Sequence, residues 1–222
     1  MAIPFAIIGF DLDGTLLDTS PDLTAAVNHA LALAGRAPLS VEQVETMIGG
    51  GAKHMLAQAL EASGGIAPEA FRPLYKDMLR YYEAHIADGS RPFAGAIEAV
   101  DALRGQGVRV GIVTNKFESL ARKLLSELAL LDRFDCLIGG DTLGTALAKP
   151  NPAPIHAMIE RLGGGRAAFV GDSIYDVQAA HAAGVPAVAV RFGFLLGPVE
   201  ELGADAVIDD YAELIPTLAR LG

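Results

Sequence analysis

Six short runs of almost unbroken apolar residues constrain this chain more than any other feature. They are Phe5 to Phe10, Val108 to Val113, Cys136 to Ile138, Ala167 to Val170, Ala187 to Val190 and Ala206 to Ile208. A strand with one wet face alternates apolar and polar residues, whereas a strand covered on both faces does not. The runs therefore predict a parallel sheet buried between layers of helix. From Gly95 onward, amphipathic stretches separate them at Gly95 to Arg104, Glu118 to Ala129, Pro152 to Leu162 and Tyr175 to Ala183. Gly163-Gly164-Gly165 and Gly184 supply helix stops. The alternation is that of βαβ units.

The stretch after the first run breaks the alternation. Between Asp18 and Pro92 nothing reads as a strand. Ser20 reads as an N-cap with Pro21 at the first helical position, and Leu23, Ala26, Val27, Ala30, Leu31 and Ala34 share one helical face. Val41 to Ile48, Ala52 to Ala62 and Pro68 to Ile86 read as further helices. The expectation is an α/β fold with a Rossmann-like parallel sheet core and helices on both faces, formed by residues 1–19 and 91–222. An all-helical unit, residues 20–90, is inserted into it, with hinges near 18–20 and 90–92.

Charge narrows the possible partners. Lys and Arg total 17 against 27 Asp and Glu, a net charge of −10. A protein that neutralises nucleic-acid phosphates or an anionic membrane needs the opposite sign. A single cysteine, Cys136, excludes an internal disulfide framework and a cysteine-rich zinc site. The apolar start Met1 to Phe10 has no basic flank and stops at Asp11, so it reads as a strand rather than a signal peptide. The expected setting is cytoplasmic, without nucleic acid or membrane, as a monomer or homodimer.

The sharpest chemistry lies in Asp11-Leu12-Asp13-Gly14-Thr15. It falls at the C-terminal end of the first strand, where open α/β sheets place ligands. Strand alternation points Asp11 and Asp13 to the same side. Two carboxylates that close need a cation or a shared proton. A bound Mg²⁺ neutralises them and accepts oxygen ligands, leaving one Asp to attack and the other to handle the proton. The alternative is a solvated turn. Gly171-Asp172-Ser173-Ile174-Tyr175-Asp176 follows another buried strand and would bring Asp172 to the same metal, with Asp176 one helical turn later in support. Alternatively, Asp172 or Ser173 simply caps the next helix. Thr114-Asn115 ends the second strand and could hold phosphate oxygens, or cap a helix. Lys149, set among apolar residues and prolines, is a rigidly placed charge for a phosphate or an aspartyl anion, or else an ordinary surface lysine.

Taken in order, Asp11-x-Asp13-Gly14-Thr15, Thr114-Asn115, Lys149-Pro150 and Gly171-Asp172-x-x-x-Asp176 closely resemble the motifs of the haloacid dehalogenase superfamily. The resemblance spans essentially the whole chain, and the helical insert resembles that family's small helical cap. It implies that Asp11 is a nucleophile forming an aspartyl phosphate. It implies that Asp13 protonates the leaving group and then activates water. Thr114 and Lys149 would hold the phosphoryl group with Asn115 nearby. Mg²⁺ would be held by Asp11, the backbone carbonyl of Asp13 and Asp172, with Asp176 and Ser173 supporting. An acid at position 13 is not needed for dehalogenation and favours phosphate-ester chemistry. Phe10 to Leu23, Gly139 to Leu143 before Lys149, and Val170 to Ser173 running on to Pro186 look most like the phosphoglycolate phosphatases of that superfamily.

The expected activity is Mg²⁺-dependent hydrolysis of a small-molecule phosphate ester, with 2-phosphoglycolate the foremost substrate. The rivals are a β-phosphoglucomutase-like phosphomutase, a nucleotidase or pyrophosphatase of the same superfamily and, from another class, a phospho-acceptor signalling domain. In the insert, Gly49-Gly50-Gly51 opens a helix, and Lys53 is the expected partner of a substrate carboxylate, or else an exposed lysine on a turn. Tyr81-Tyr82 reads as packing within the insert.

Overall fold

In the computed structural model, residues 3–221 are described; Met1 and Ala2, which begin the apolar N-terminal run, and Gly222 lie outside them. In chain order the elements are β1 (Ile7–Phe10), β2 (Leu17–Asp18), α1 (Ser20–Leu33), α2 (Val41–Glu45), α3 (Ala52–Ala62), α4 (Pro68–Ala84), β3 (Arg91–Pro92), α5 (Ala96–Gly105), β4 (Arg109–Val113), α6 (Glu118–Glu127), β5 (Cys136–Ile138), α7 (Ala153–Arg161), β6 (Ala167–Gly171), α8 (Ile174–Ala182), β7 (Ala187–Val190), β8 (Ala206–Ile208) and α9 (Leu214–Arg220). Every apolar run of the sequence supplies one strand of a six-stranded sheet ordered β5-β4-β1-β6-β7-β8. All its pairings are parallel.

Pleating sends successive residues of β1 to opposite faces. Ile7 packs with Val113, Ile155, Met158 and Phe169 on the face covered by α7 and α8. Ile8 and Phe10 pack with Val110, Ala168, Val100 and Leu124 on the other face, under α5, α6 and α9. Burial on both faces is why these strands lack alternation. The sheet order also reverses at β1: the chain builds outward through β4 to β5, then returns to place β6 on the other side. Such a reversal opens a crevice at the strand C-termini.

Helices α1 to α4 lie between β1 and β4 in the chain and pack on one another, α1 against α2, α3 and α4. Some details depart from expectation. At the root of this helical group, Leu17 and Asp18 pair antiparallel with Pro92 and Arg91, a ribbon too short to leave a sequence pattern. Ser20 is already helical rather than a cap, and its amide and hydroxyl donate to Asp18 Oδ1 at 3.1 and 2.7 Å. The buried Asp22 closes the root by accepting from Gly89 N, Ser90 N and Ser90 Oγ at 2.7, 2.8 and 2.6 Å. The second helix stops at Glu45, short of the expected Ile48: Met47 N and Ile48 N tighten to bonds with Val44 O and Glu45 O, three residues back, before Gly49 and Gly51 follow with φ of 109° and 86°. Among the described residues, no helix is long and apolar enough to cross a membrane.

Candidate active site

Strands β4, β1 and β6 are neighbours, so their C-terminal ends form one rim. Asp11 follows β1, Thr114 follows β4 and Asp172 follows β6. The sheet ladder continues one residue past β1 and β4: Asp11 N donates to Val170 O at 2.9 Å, and Thr114 N to Ile138 O at 3.0 Å. Both side chains are therefore aimed by rigid backbone.

Asp11, Asp172 and Asp176 are buried and each brings an oxygen within 4.8 Å of the others. Lys149, from the loop between β5 and α7, reaches this cluster with Nζ 2.9 Å from Asp11 Oδ1 and 2.5 Å from Asp176 Oδ1. Asp176 Oδ2 accepts from Ser173 N and Ser173 Oγ at 3.0 and 2.6 Å, which fixes its rotamer. Asp172 accepts from Thr15 Oγ1 at 3.0 Å and from Phe194 N at 2.8 Å.

Three carboxylates against one ammonium leave surplus negative charge out of water, and the titrations reflect it. Burial, reinforced by Asp176 and only partly offset by Lys149, pushes Asp11 up to about 7. Burial followed by repulsion from Asp176 and Asp11 holds Asp172 well above the ordinary carboxylate range. Burial alone would lower Lys149, but Asp11 and Asp176 outweigh it and hold the ammonium charged. Asp11 Oδ1 is buried with the Lys149 ammonium 2.9 Å away as a charge partner, but it is not satisfied by a hydrogen bond. Hard oxygen donors, excess negative charge and an unsatisfied carboxylate oxygen together suit a hard divalent cation.

Asp13 lies apart from the triad. Its two oxygens each accept from Lys116 Nζ at 2.7 Å, and Oδ1 also accepts from Thr19 Oγ1 at 2.7 Å. Its carboxylate is thus held by an ammonium from the β4 rim, and only its backbone carbonyl is left for the ligand role that the resemblance implied. Thr114 is buried, and its Oγ1 accepts from Lys116 N at 3.1 Å. It does not cap α6, which begins at Glu118. Asn115 Nδ2 donates to Gly49 O at 3.0 Å and to Lys149 O at 3.1 Å, tying the glycine run to both rim loops.

A cavity of about 320 Å³ opens between this rim and the helical group. Asp11, Asp13, Thr114, Asn115, Lys116 and Lys53 line it, among apolar walls from Leu23, Met55, Met78 and Leu120. Lys53 is exposed at its edge. Tyr82, expected to pack only within the helices, also lines the cavity, with the Lys116 ammonium 4.9 Å from its ring centroid. Two glycines let the loops close on Asp172. A Cβ on Gly14, whose φ is +80°, would fall 2.2 Å from Asp172 Oδ2, and one on Gly193 would fall 2.2 Å from Asp172 Cβ.

Sequence reading missed Lys116, Thr19 and Phe194; it gave Thr15 no role beyond its place in the Asp11 motif and read Tyr82 only as packing within the insert. Only Lys116 carried a local signal, as a lysine in the loop that also holds Thr114.

The chain matches the family model of haloacid dehalogenase-like hydrolases over residues 5–184. It is 43% identical over 218 residues to a phosphoglycolate phosphatase of Agrobacterium fabrum, covering 97% of this chain and 92% of that protein. It is likewise 43% identical over 219 residues to a phosphoglycolate phosphatase of Rhodospirillum rubrum, covering 96% and 90%. The crystal structure of a predicted phosphoglycolate phosphatase from Haemophilus somnus superimposes with a TM-score of 0.90 at 30% identity, covering 96% of this chain and 98% of that one.

Proposed function

The chain belongs to the haloacid dehalogenase-like hydrolases and is a phosphatase of that family, and on that premise we propose that it hydrolyses 2-phosphoglycolate to glycolate and phosphate. The observation that carries the chemistry is the buried Asp11 beside Lys149, Asp172 and Asp176, with Asp13 two residues away on the same cavity. Residues 20–90 act as a helical cap over a core formed by residues 1–19 and 91–222.

Asp11, the Asp13 carbonyl and Asp172 would hold Mg²⁺, with Asp176 and Ser173 in support. When bound, the ion supplies positive charge against the carboxylates and the phosphoryl oxygens. Asp11 attacks phosphorus through a carboxylate oxygen. An O–P bond to Asp11 forms, the P–O bond to the substrate's carbon chain breaks, and Asp13 gives its proton to the departing alkoxide. Water then attacks the same phosphorus and Asp13 takes the proton back, releasing phosphate and restoring Asp11. Lys149 and Thr114 hold the phosphoryl oxygens in place, and Asn115 holds the glycine run against the rim. Lys53 at the cavity edge attracts the anionic substrate. We place this work in the cytoplasm, in keeping with a chain whose one cysteine is buried and unpaired.

The test is phosphate release with Mg²⁺ from 2-phosphoglycolate, sugar phosphates, nucleotides and pyrophosphate, with Asp11→Asn as the blank. A lead for 2-phosphoglycolate of well over tenfold in kcat/KM is expected. A flat profile would leave a phosphatase of another substrate. Phosphorylated Asp11 without turnover would favour a mutase.

A further inference from the structure

Lys116 is the buried cation of this cavity that the chemistry above leaves unused. Its side chain is only 5% exposed, and its ammonium has three N–H donors. Two go to Asp13 Oδ1 and Oδ2, which leaves the third on the side where Tyr82 lies, its ring centroid 4.9 Å from the ammonium. Tyr82 arrives from the opposite wall, on α4. It is 3% exposed, and its hydroxyl has no hydrogen-bond partner. An unpaired buried hydroxyl is costly, and so is a buried ammonium. Both front the same cavity as Asp11 and Asp13.

We propose that Lys116 and Tyr82 form the seat for the substrate's carboxylate, with the free ammonium N–H and the Tyr82 hydroxyl as its two donors. This rests on the reading of the substrate as 2-phosphoglycolate. In that molecule one carbon separates the ester oxygen from the carboxylate. A proton donor must touch the ester oxygen, so the carboxylate necessarily falls beside that donor. Lys116 is in contact with Asp13, the residue assigned that proton, whereas Lys53 is exposed at the cavity edge. The seat joins one residue of the core rim to one of the helical group, so only a substrate with its anion next to the ester carbon engages both walls. A neutral ester of the same size leaves the Tyr82 hydroxyl unpaired and is discriminated against.

The experiment compares kcat/KM for 2-phosphoglycolate with that for ethyl phosphate, in which a methyl group replaces the carboxylate. It uses the full chain with Mg²⁺ and the variants Lys116→Met, Lys116→Arg and Tyr82→Phe. Tyr82→Phe removes only an unpartnered hydroxyl and keeps the fold. The ratio is expected to be high in the unmodified protein, to fall by about tenfold or more in Tyr82→Phe and Lys116→Met, and to recover in part in Lys116→Arg. A wild-type ratio kept by Tyr82→Phe overturns the seat, even if Lys116→Met loses activity on both esters alike, because Lys116 then serves only to hold Asp13. A ratio near one in the unmodified protein overturns the 2-phosphoglycolate reading itself, and the seat with it.

Discussion

The Thr15 hydroxyl donates to Asp172 Oδ1 over 3.0 Å, joining the loop after β1 to the loop after β6 across 157 positions of the chain. Thr15 is itself held from behind, since its carbonyl accepts from the buried Tyr211 hydroxyl at 2.8 Å. The Asp172 carboxylate of one motif is thus oriented by the last residue of another. Replacing Thr15 by Val keeps the volume and removes the donor. The loss of one bond to a buried carboxylate predicts a stability decrease of about 1–3 kcal/mol and a higher Mg²⁺ concentration for half-maximal activity. Denaturant unfolding and the half-activating Mg²⁺ concentration measure the two effects; unchanged Mg²⁺ activation would show that Thr15 does not orient Asp172.

Lys149 carries the larger burden, because it is the ammonium between Asp11 and Asp176. Lys149→Met leaves two buried carboxylates facing each other without it. Breaking such a buried set costs about 3–5 kcal/mol, and losing a charge at the reacting centre costs roughly 10²–10³-fold in kcat. Urea unfolding and steady-state kinetics check both. Activity within tenfold of the unmodified protein would remove Lys149 from the phosphoryl site.

Metal removal should make stability depend on pH. Asp11 titrates at about 7 when folded against an ordinary 3.8. Between those values the folded chain holds a proton that the unfolded chain has given up, so stability falls as pH rises through that window. Asp172 is shifted in the same direction. After treatment with EDTA, the melting temperature is expected to drop between about pH 5 and about pH 8. Saturating Mg²⁺ should raise it and flatten the dependence, since a bound cation favours the ionised carboxylates. Differential scanning fluorimetry at both values tests this, and a melting temperature indifferent to Mg²⁺ at pH 8 would count against the site.

Gly193 tests the closeness of the loops around Asp172. An added Cβ would sit 2.2 Å from Asp172 Cβ and 2.6 Å from Gly14 O, and the second contact is backbone. Gly193→Ala must push one of these loops away. A destabilisation of about 1–3 kcal/mol is expected, with activity falling more than tenfold as Asp172 is displaced. Wild-type kinetics in a folded Gly193→Ala variant would mean that the loop gives way without moving Asp172.

The acidic motif at Asp11 and Asp13, the Asp172 to Asp176 pair and Thr114 were readable because each begins just past a strand end, and Lys149, in the long loop between β5 and α7, because it stands alone among apolar residues and prolines. The alternation of buried runs and amphipathic stretches likewise gave the parallel sheet, and its failure between Asp18 and Pro92 gave the helical insert. What escaped were pairings between distant segments. Lys116 meets Asp13 over 103 positions, and Phe194 N meets Asp172 over 22. The ribbon of Leu17 and Asp18 with Arg91 and Pro92 is likewise a meeting of separated segments.

The sequence by itself determined the chemistry and the layer architecture, because side-chain periodicity and motif spacing are local properties of the chain. The tertiary structure alone decided which carboxylate faces which cation. That choice follows from the strand order β4-β1-β6, which brings three distant loops onto one rim, and from burial, which makes each unpaired charge there too costly to leave without a partner.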